Sequence, residues 1–356
     1  MEFPSTADHT ANLKRPREPS PSDLFLLPAR KYFAAASAST ESPHAGGLLD
    51  PETTPKEHRD DPTRVAVQVV AAHYNERPSN TVLERAESPI FHLRCFNNWI
   101  KAVLMNRYLR RGDVVLDMGV GKGGDLQKYD KARIGELFAF VDVANVSIEQ
   151  ARDRYQSMRS RPSFMATFIT LDCYNESILP HLPQSPHFHV NAVSMQFCAH
   201  YAFQTERQVR QMLENVSSKL ASGGYFFGTI PDANLLVRKL RASDGLSFGN
   251  PIYTVAFEQR ETYPVYGHQY TFKLVDAIDD CPEFLVHWPS FQQLASEYGL
   301  AQVEHTNFQR FYHQNADGPF RELLVRMKVV TAASPALSAP EWEAAGLYTT
   351  FAFQKR

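Results

Sequence analysis

Four cysteines are all this chain of 356 residues contains, and Cys95, Cys173, Cys198 and Cys281 form no C-x-x-C pair. A zinc knuckle and a disulfide scaffold are thereby disfavoured, and a reducing compartment fits. Charge of one sign is also missing: 37 Lys and Arg stand against 39 Asp and Glu, for a net charge of −2. The protein is not coated in positive charge, although a local basic groove can sit within a neutral total. No apolar run approaches the roughly 20 residues of a membrane helix. Pro4, Asp8 and Lys14 break the first apolar residues, so no secretory signal is read. A soluble, intracellular protein without membrane attachment is expected. No H-E-x-x-H and no paired cysteine motif occurs, and neither a catalytic triad nor a metal site is expected. There is no internal repeat.

What is present falls into two parts. Residues 1 to about 62 hold nine of the 23 prolines among Ser, Thr, Ala and scattered charge. So little apolar surface cannot offset ordering entropy, and the expectation is a disordered tail over residues 1–85. Its cluster KRPR, from Lys14 to Arg17, reads equally as a nuclear import signal or as ordinary solvated charge. Residues 86–356 are expected to form the folded, catalytic domain. FHLRCFNNWIKAVLMNRYL reads as a helix, with Phe96, Ile100, Val103 and Arg107 on one stripe. Strand and helix then alternate: VVLDM, a helix near Asp125 to Lys131, LFAFVD, a helix from Ser147 with a capping box to Gln150, FMATFITLD and FHVNAVSMQ. A helix capped by Thr205 with Gln208 and closed by Gly223 and Gly224 comes next, then YFFGTIP. This alternation predicts a doubly wound, mostly parallel α/β sheet of the Rossmann type. A β-rich excursion is expected near residues 245–290, and LYTTFAFQ as a terminal strand.

The stretch VVLDMGVGKGGDL carries G-x-G-x-x-G in Gly119, Gly121 and Gly124. By itself that turn fits a dinucleotide as well as a methyl donor. Three acids separate the readings. Asp117, two residues before the first glycine, would repel a pyrophosphate but suits a ligand carrying an ammonium and a sulfonium. Asp142, at the end of the second strand, can accept ribose hydroxyls, a feature shared with dinucleotide sites. Asp172, near the end of the third, can take the adenine amine, and reads about equally as a turn acid. The Walker pattern is absent, with Lys122 inside the glycine run. Three strand ends bearing acids around a glycine turn fit S-adenosylmethionine best.

Several longer blocks carry a resemblance. FNNWIK (Phe96 to Lys101), LDMGVGKGGDL, QFCAHY (Gln196 to Tyr201), SFGNPIYTV, YPVYGHQYTFKL, PEFLV (Pro282 to Val286) and EWEAAGLYTTFAF are similar to the signature blocks of the eukaryotic mRNA cap (guanine-N7) methyltransferases, in the same order over residues 88–356. One departure is Val120, where that family usually has Cys; it is expected to be a packing residue. The resemblance implies a class I S-adenosylmethionine-dependent fold and methyl transfer to N7 of the guanosine cap of RNA. It further implies that Lys101, Asp117 and the Gly119 turn hold the methionine moiety, Asp142 the ribose and Asp172 the adenine, with Gln196 touching the donor through its backbone. Asn97, Tyr174, Phe197, His200, Tyr201, Pro231, Glu283 and Tyr348 would form the cap pocket. It also implies a nuclear protein, expected to be monomeric, acting after triphosphatase and guanylyltransferase steps and recruited to RNA polymerase II.

Guanine N7 has a lone pair and no proton, and a sulfonium is already an activated electrophile. No general base, nucleophile or metal is needed; in-line alignment alone can be worth about 7–11 kcal/mol. Without the resemblance, Glu283 reads as a surface acid, Phe197 as core and His200 as a satisfied buried histidine. With it, Glu283 can accept from guanine N1–H and N2, and Phe197 and Tyr201 can stack a base for about 1–3 kcal/mol. Lys122, Lys128 and Arg133 are candidates for the triphosphate bridge. The alternatives are a methyltransferase with a small-molecule or protein acceptor, a dehydrogenase, and a catalytically idle cap-binding module.

Overall fold

A computed structural model of the chain describes residues 87–141, 145–158, 162–330 and 337–356. The expected tail, its boundary at residue 85 and Asp142 lie outside the described residues. The first helix, α1 (Phe91–Tyr108), buries Phe96, Trp99, Ile100, Val103 and Leu104. Its residues Arg94, Asn97, Asn98 and Lys101 recur at i, i+3, i+4 and i+7, so they share the polar stripe of the same helix.

Beyond it come β1 (Val114–Met118), α2 (Leu126–Ala132), β2 (Glu136–Val141), α3 (Asn145–Gln156), β3 (Met165–Thr170), β4 (Val190–Gln196), α4 (Glu206–Ser217) and β5 (Leu220–Pro231). Helix α5 (Ala233–Ala242) leads into β6 (Ser247–Asn250), β7 (Tyr253–Phe257), β8 (Gln269–Leu274) and β9 (Ile278–Phe284). The chain ends with α6 (Trp288–Glu297), β10 (Leu300–Asn307), α7 (Phe308–Asn315), α8 (Arg321–Arg326), α9 (Ala339–Ala345) and β11 (Tyr348–Lys355).

The main sheet runs β3-β2-β1-β4-β5-β11-β10. Strands β1 to β5 are parallel, and β11 enters antiparallel between β5 and β10. The strand order reverses between β1 and β4, so a crevice opens beyond the C-terminal ends of those two strands. The doubly wound expectation holds. The excursion forms its own antiparallel sheet, β6-β7-β8-β9. Tyr253, Val255, Tyr270 and Phe272 of this sheet join the hydrophobic cluster that contains α1.

Two local expectations are corrected. Helix α3 already includes Asn145, so Ser147 lies inside it and is not its cap. Gly223 and Gly224 do not close α4, which ends at Ser217. They lie within the long strand β5, where Gly223 takes a φ of +79°. Thr205 does cap α4, accepting from the Gln208 amide.

Candidate active site

The glycine turn between β1 and α2 is shaped by backbone need. Gly119, Gly121 and Gly123 have φ of +109°, +52° and +72°. The third glycine in the left-handed region is therefore Gly123, not the Gly124 picked out by the literal motif. A side chain at Gly119 would also stand 2.6 Å from Cys198 Sγ. The turn thus packs against the exit of β4 with no room for a Cβ. Val120 is buried in the core, as expected of a packing residue.

Asp117 sits on β1 and is 2 % exposed. The Tyr129 hydroxyl donates to its Oδ2 at 3.0 Å. Burial, with the negative charge of Asp125 adding to it, pushes the Asp117 carboxyl up to about 7. Asp125 goes the other way. Burial works against its charge, but the ammoniums of Lys101 (2.8 Å) and Lys128 (2.7 Å) outweigh this and hold it well below the usual carboxylate range. Lys128 also donates to Asn98 Oδ1 at 2.8 Å, which ties α2 to α1. Two carboxyls eight positions apart are thus driven in opposite directions by their surroundings.

On the other side of Lys101 the protein opens into two adjoining clefts. The first, of about 380 Å³, is lined by Arg94, Asn97, Asn98, Lys101 and Phe197, among others. The second, of about 160 Å³, includes Asn97, Phe197, His200, Tyr201, Glu283 and Tyr348 in its lining. Six of the eight expected cap residues, from α1, the β4 exit, β9 and β11, therefore face one space. Asn97 and Phe197 belong to both clefts. Asn97 Oδ1 is buried without a hydrogen-bond partner, as are both ring nitrogens of His200.

Each wall has a structural reason. Phe197 takes a φ of +60°, uncommon for a bulky residue. Its amide donates to the carbonyl and to Oγ1 of Thr229 on β5, both at 3.0 Å. Its ring meets Tyr348 edge-on at 5.0 Å and Phe308 at 6.0 Å. Glu283 is 3 % exposed, and Tyr270 on the neighbouring strand β8 donates to its Oε2 at 2.7 Å. His200 Nε2 lies 3.5 Å from Glu283 Oε1, and its ring lies against Tyr201.

The remaining expected residues are placed differently. Tyr174 and Pro231 do not line the aromatic cleft; Tyr174 instead donates to the Cys198 carbonyl at 2.8 Å, and Pro231 pairs with Tyr348 at the end of β5. Asp172 lies beyond β3. Its carboxylate accepts from the amides of Tyr174 and Asn175 and from the Asn175 side chain, so it organises a turn. The Gln196 side chain bonds to Ser194 and Thr229 at the end of β4. Among the triphosphate candidates, Lys128 is taken up by the Asp125 network. Arg133 caps the far end of α2, where its carbonyl accepts from Gly112, before β1; it is thus at the opposite end of the sheet from the glycine turn.

Sequence reasoning missed Asp125, Asn98, Tyr129, Tyr270 and Thr229. Asn98 and Asp125 stood inside the blocks FNNWIK and GGDL, where their types signalled a polar pairing. Thr229 and Tyr270 sit in apolar strands and gave no such signal.

A doubly wound sheet with an antiparallel strand inserted beside β5, and a buried acid and glycine turn at its switch point, defines a class I S-adenosylmethionine-dependent methyltransferase. The mRNA (guanine-N(7))-methyltransferase domain matches residues 57–356. The chain belongs to that family. It is 46% identical over 297 residues to an mRNA cap guanine-N(7) methyltransferase of Cryptococcus neoformans, a match covering 81% of this chain and 42% of that protein. It is 39% identical over 358 residues to the mRNA cap guanine-N(7) methyltransferase 1 of Oryza sativa, covering 96% of this chain and 92% of that one. With the Saccharomyces cerevisiae protein of the same name it shares 41% over 308 residues, covering 81% and 70%. The chain spans less than half the length of the two Cryptococcus relatives it matches.

Proposed function

We propose that this chain transfers the methyl group of S-adenosylmethionine to N7 of the guanosine that caps RNA. The observation that carries this reading is the cleft shared by Asn97, Phe197, His200, Tyr201, Glu283 and Tyr348, opening beside Lys101. The donor-side residues suit the group: a buried acid for an ammonium, a turn too tight for a Cβ, and a lysine for a carboxylate. When bound, the donor supplies an activated methyl on a sulfonium. The chain's residues then bind, orient and exclude water.

Glu283 accepts from guanine N1–H and N2, with Oε2 steadied by Tyr270 and Oε1 facing His200. Phe197 and Tyr201 bound the purine faces, and Asn97, common to both clefts, spans donor and acceptor. Asp142 holds the donor ribose, Gln196 meets the donor through its backbone, and Asp172 stands near the adenine through the turn it organises. Tyr174 and Pro231 support the pocket from behind. No side chain takes a proton, because N7 has none to lose. The protein acts as a nuclear monomer on transcripts that have passed triphosphatase and guanylyltransferase steps, recruited to RNA polymerase II; membership of the capping family supports this. The test is transfer of labelled methyl to capped and uncapped RNA of one sequence. Label is expected on the capped RNA alone, and equal labelling of both would contradict the proposal.

A further inference from the structure

Beyond Glu283 and Pro231 the chain borders another cleft that methyl transfer does not use. It holds about 480 Å³, against about 160 Å³ for the aromatic one. Its lining includes Asn234, Arg238 and Arg241 of α5, Tyr263, and the segment Leu285 to Trp288. The three α5 residues recur at i, i+4 and i+7 and are exposed on one helix face. Neither arginine has an ion pair or a side-chain hydrogen bond among the described residues; Arg241 lies over the Tyr263 ring at 4.8 Å. Arg260 adds a third guanidinium at the end of the helix, donating to the carbonyls of Ser243 and Gly245. No Asp or Glu is among the residues that line the cleft. Asp232 caps α5 and accepts from Asn307, and Glu261 accepts from the Arg260 amide.

Two features say what such a cleft takes. Its aromatic rings are already covered: Tyr263 lies between Arg241 and His268, and Trp288 stacks on His305 at 3.6 Å. Base stacking is therefore not what it offers. Two uncompensated guanidiniums, with the buried and unpartnered Tyr263 hydroxyl, offer donors and positive charge. The cleft also begins where the cap cleft ends. Leu285 follows Glu283, which lines the cap cleft, by two residues, a span of at most roughly 7 Å.

We propose that this cleft holds the phosphodiester backbone of the RNA that follows the cap, through Arg238 and Arg241, without reading base sequence. The proposal rests on the cap reading of the neighbouring cleft. Its test is the full chain carrying Arg238→Ala and Arg241→Ala together. Methylation of the GpppG dinucleotide should be unchanged. KM for short capped RNAs of two unrelated sequences should rise about tenfold alike, equivalent to about 1.4 kcal/mol. Binding of the matching uncapped RNA, followed by anisotropy, should weaken, and its salt slope should fall by about 1.4, at about 0.7 per phosphate contact on a single strand. An unchanged KM for capped RNA, or an equal rise for dinucleotide and RNA, would overturn the proposal. So would unaltered affinity and salt slope with uncapped RNA, which would leave the cleft to an acidic protein segment. If the unaltered protein fails to methylate GpppG, the cap reading falls, while binding of uncapped RNA still decides the cleft.

Discussion

The proposed donor side and the proposed acceptor cleft meet at Asn97 and Phe197 yet are built in different ways. The donor side comes from one strand–turn–helix unit, Asp117 to Tyr129, braced by α1 through Lys101 and Asn98. The acceptor cleft draws Asn97, Phe197, Glu283 and Tyr348 from four separate elements, and two of its walls stand on Thr229 and Tyr270 from yet other strands. A charged donor can be recognised by a short local motif because opposed charges and backbone geometry do the sorting. A purine edge needs flat walls and one placed acceptor, and only the completed tertiary structure supplies these.

That contrast can be broken most severely on the donor side. Asp117→Asn keeps an acceptor for the Tyr129 hydroxyl but removes the buried charge. Affinity for S-adenosylmethionine is expected to fall about 100-fold or more, the order for removing one partner of a desolvated pair (~3 kcal/mol), while cap affinity changes little; calorimetry checks both. The same variant should be more heat-stable at pH 8. A carboxyl whose folded pKa is raised to about 7 contributes stability that is complete below its unfolded pKa, near 4, and is lost as pH rises through 7. The neutral amide avoids that loss, and thermal melts at pH 5 and pH 8 would register it.

On the acceptor side, Glu283→Gln keeps a partner for Tyr270 but leaves one acceptor where two were needed. Cap affinity should drop about 30- to 100-fold (~2–3 kcal/mol for charge-assisted hydrogen bonds) with donor affinity intact, as read by KM for each substrate. A smaller effect is set by pH. Donor binding favours ionised Asp117, so donor affinity should weaken as pH falls below about 7, by up to about tenfold per unit, with cap affinity lacking this dependence. The smallest expected effect is Thr229→Val. It removes one of two acceptors for the Phe197 amide and should lower kcat about fivefold (~1 kcal/mol) without moving donor affinity.

Legibility followed the same division. The parallel sheet, the glycine turn, Asp117 and the terminal strand could be read from hydrophobic period and turn chemistry. The literal motif falls on Gly124 and passes over Gly123 because a motif counts letters, whereas the turn is decided by φ. Ser147 resembled a cap because its neighbours suit one, but α3 begins before it. The six acceptor residues drawn together had individually ordinary environments in the sequence; only the resemblance to a family joined them. The β10 strand and the helices from Trp288 on escaped notice because each is short: α7 spans only Phe308–Asn315, and its Phe308 and Phe311 show their purpose only when packed against Phe96 and Trp99 of α1.

The central claim is that donor and cap occupy separate half-sites, one electrostatic and one aromatic. Crossed calorimetric titrations of Asp117→Asn and Glu283→Gln, each with S-adenosylmethionine and with GpppG, test it most directly. The account predicts that each substitution weakens one ligand by well over tenfold and spares the other. Equal losses of both ligands in both variants, with the fold intact by circular dichroism, would contradict it.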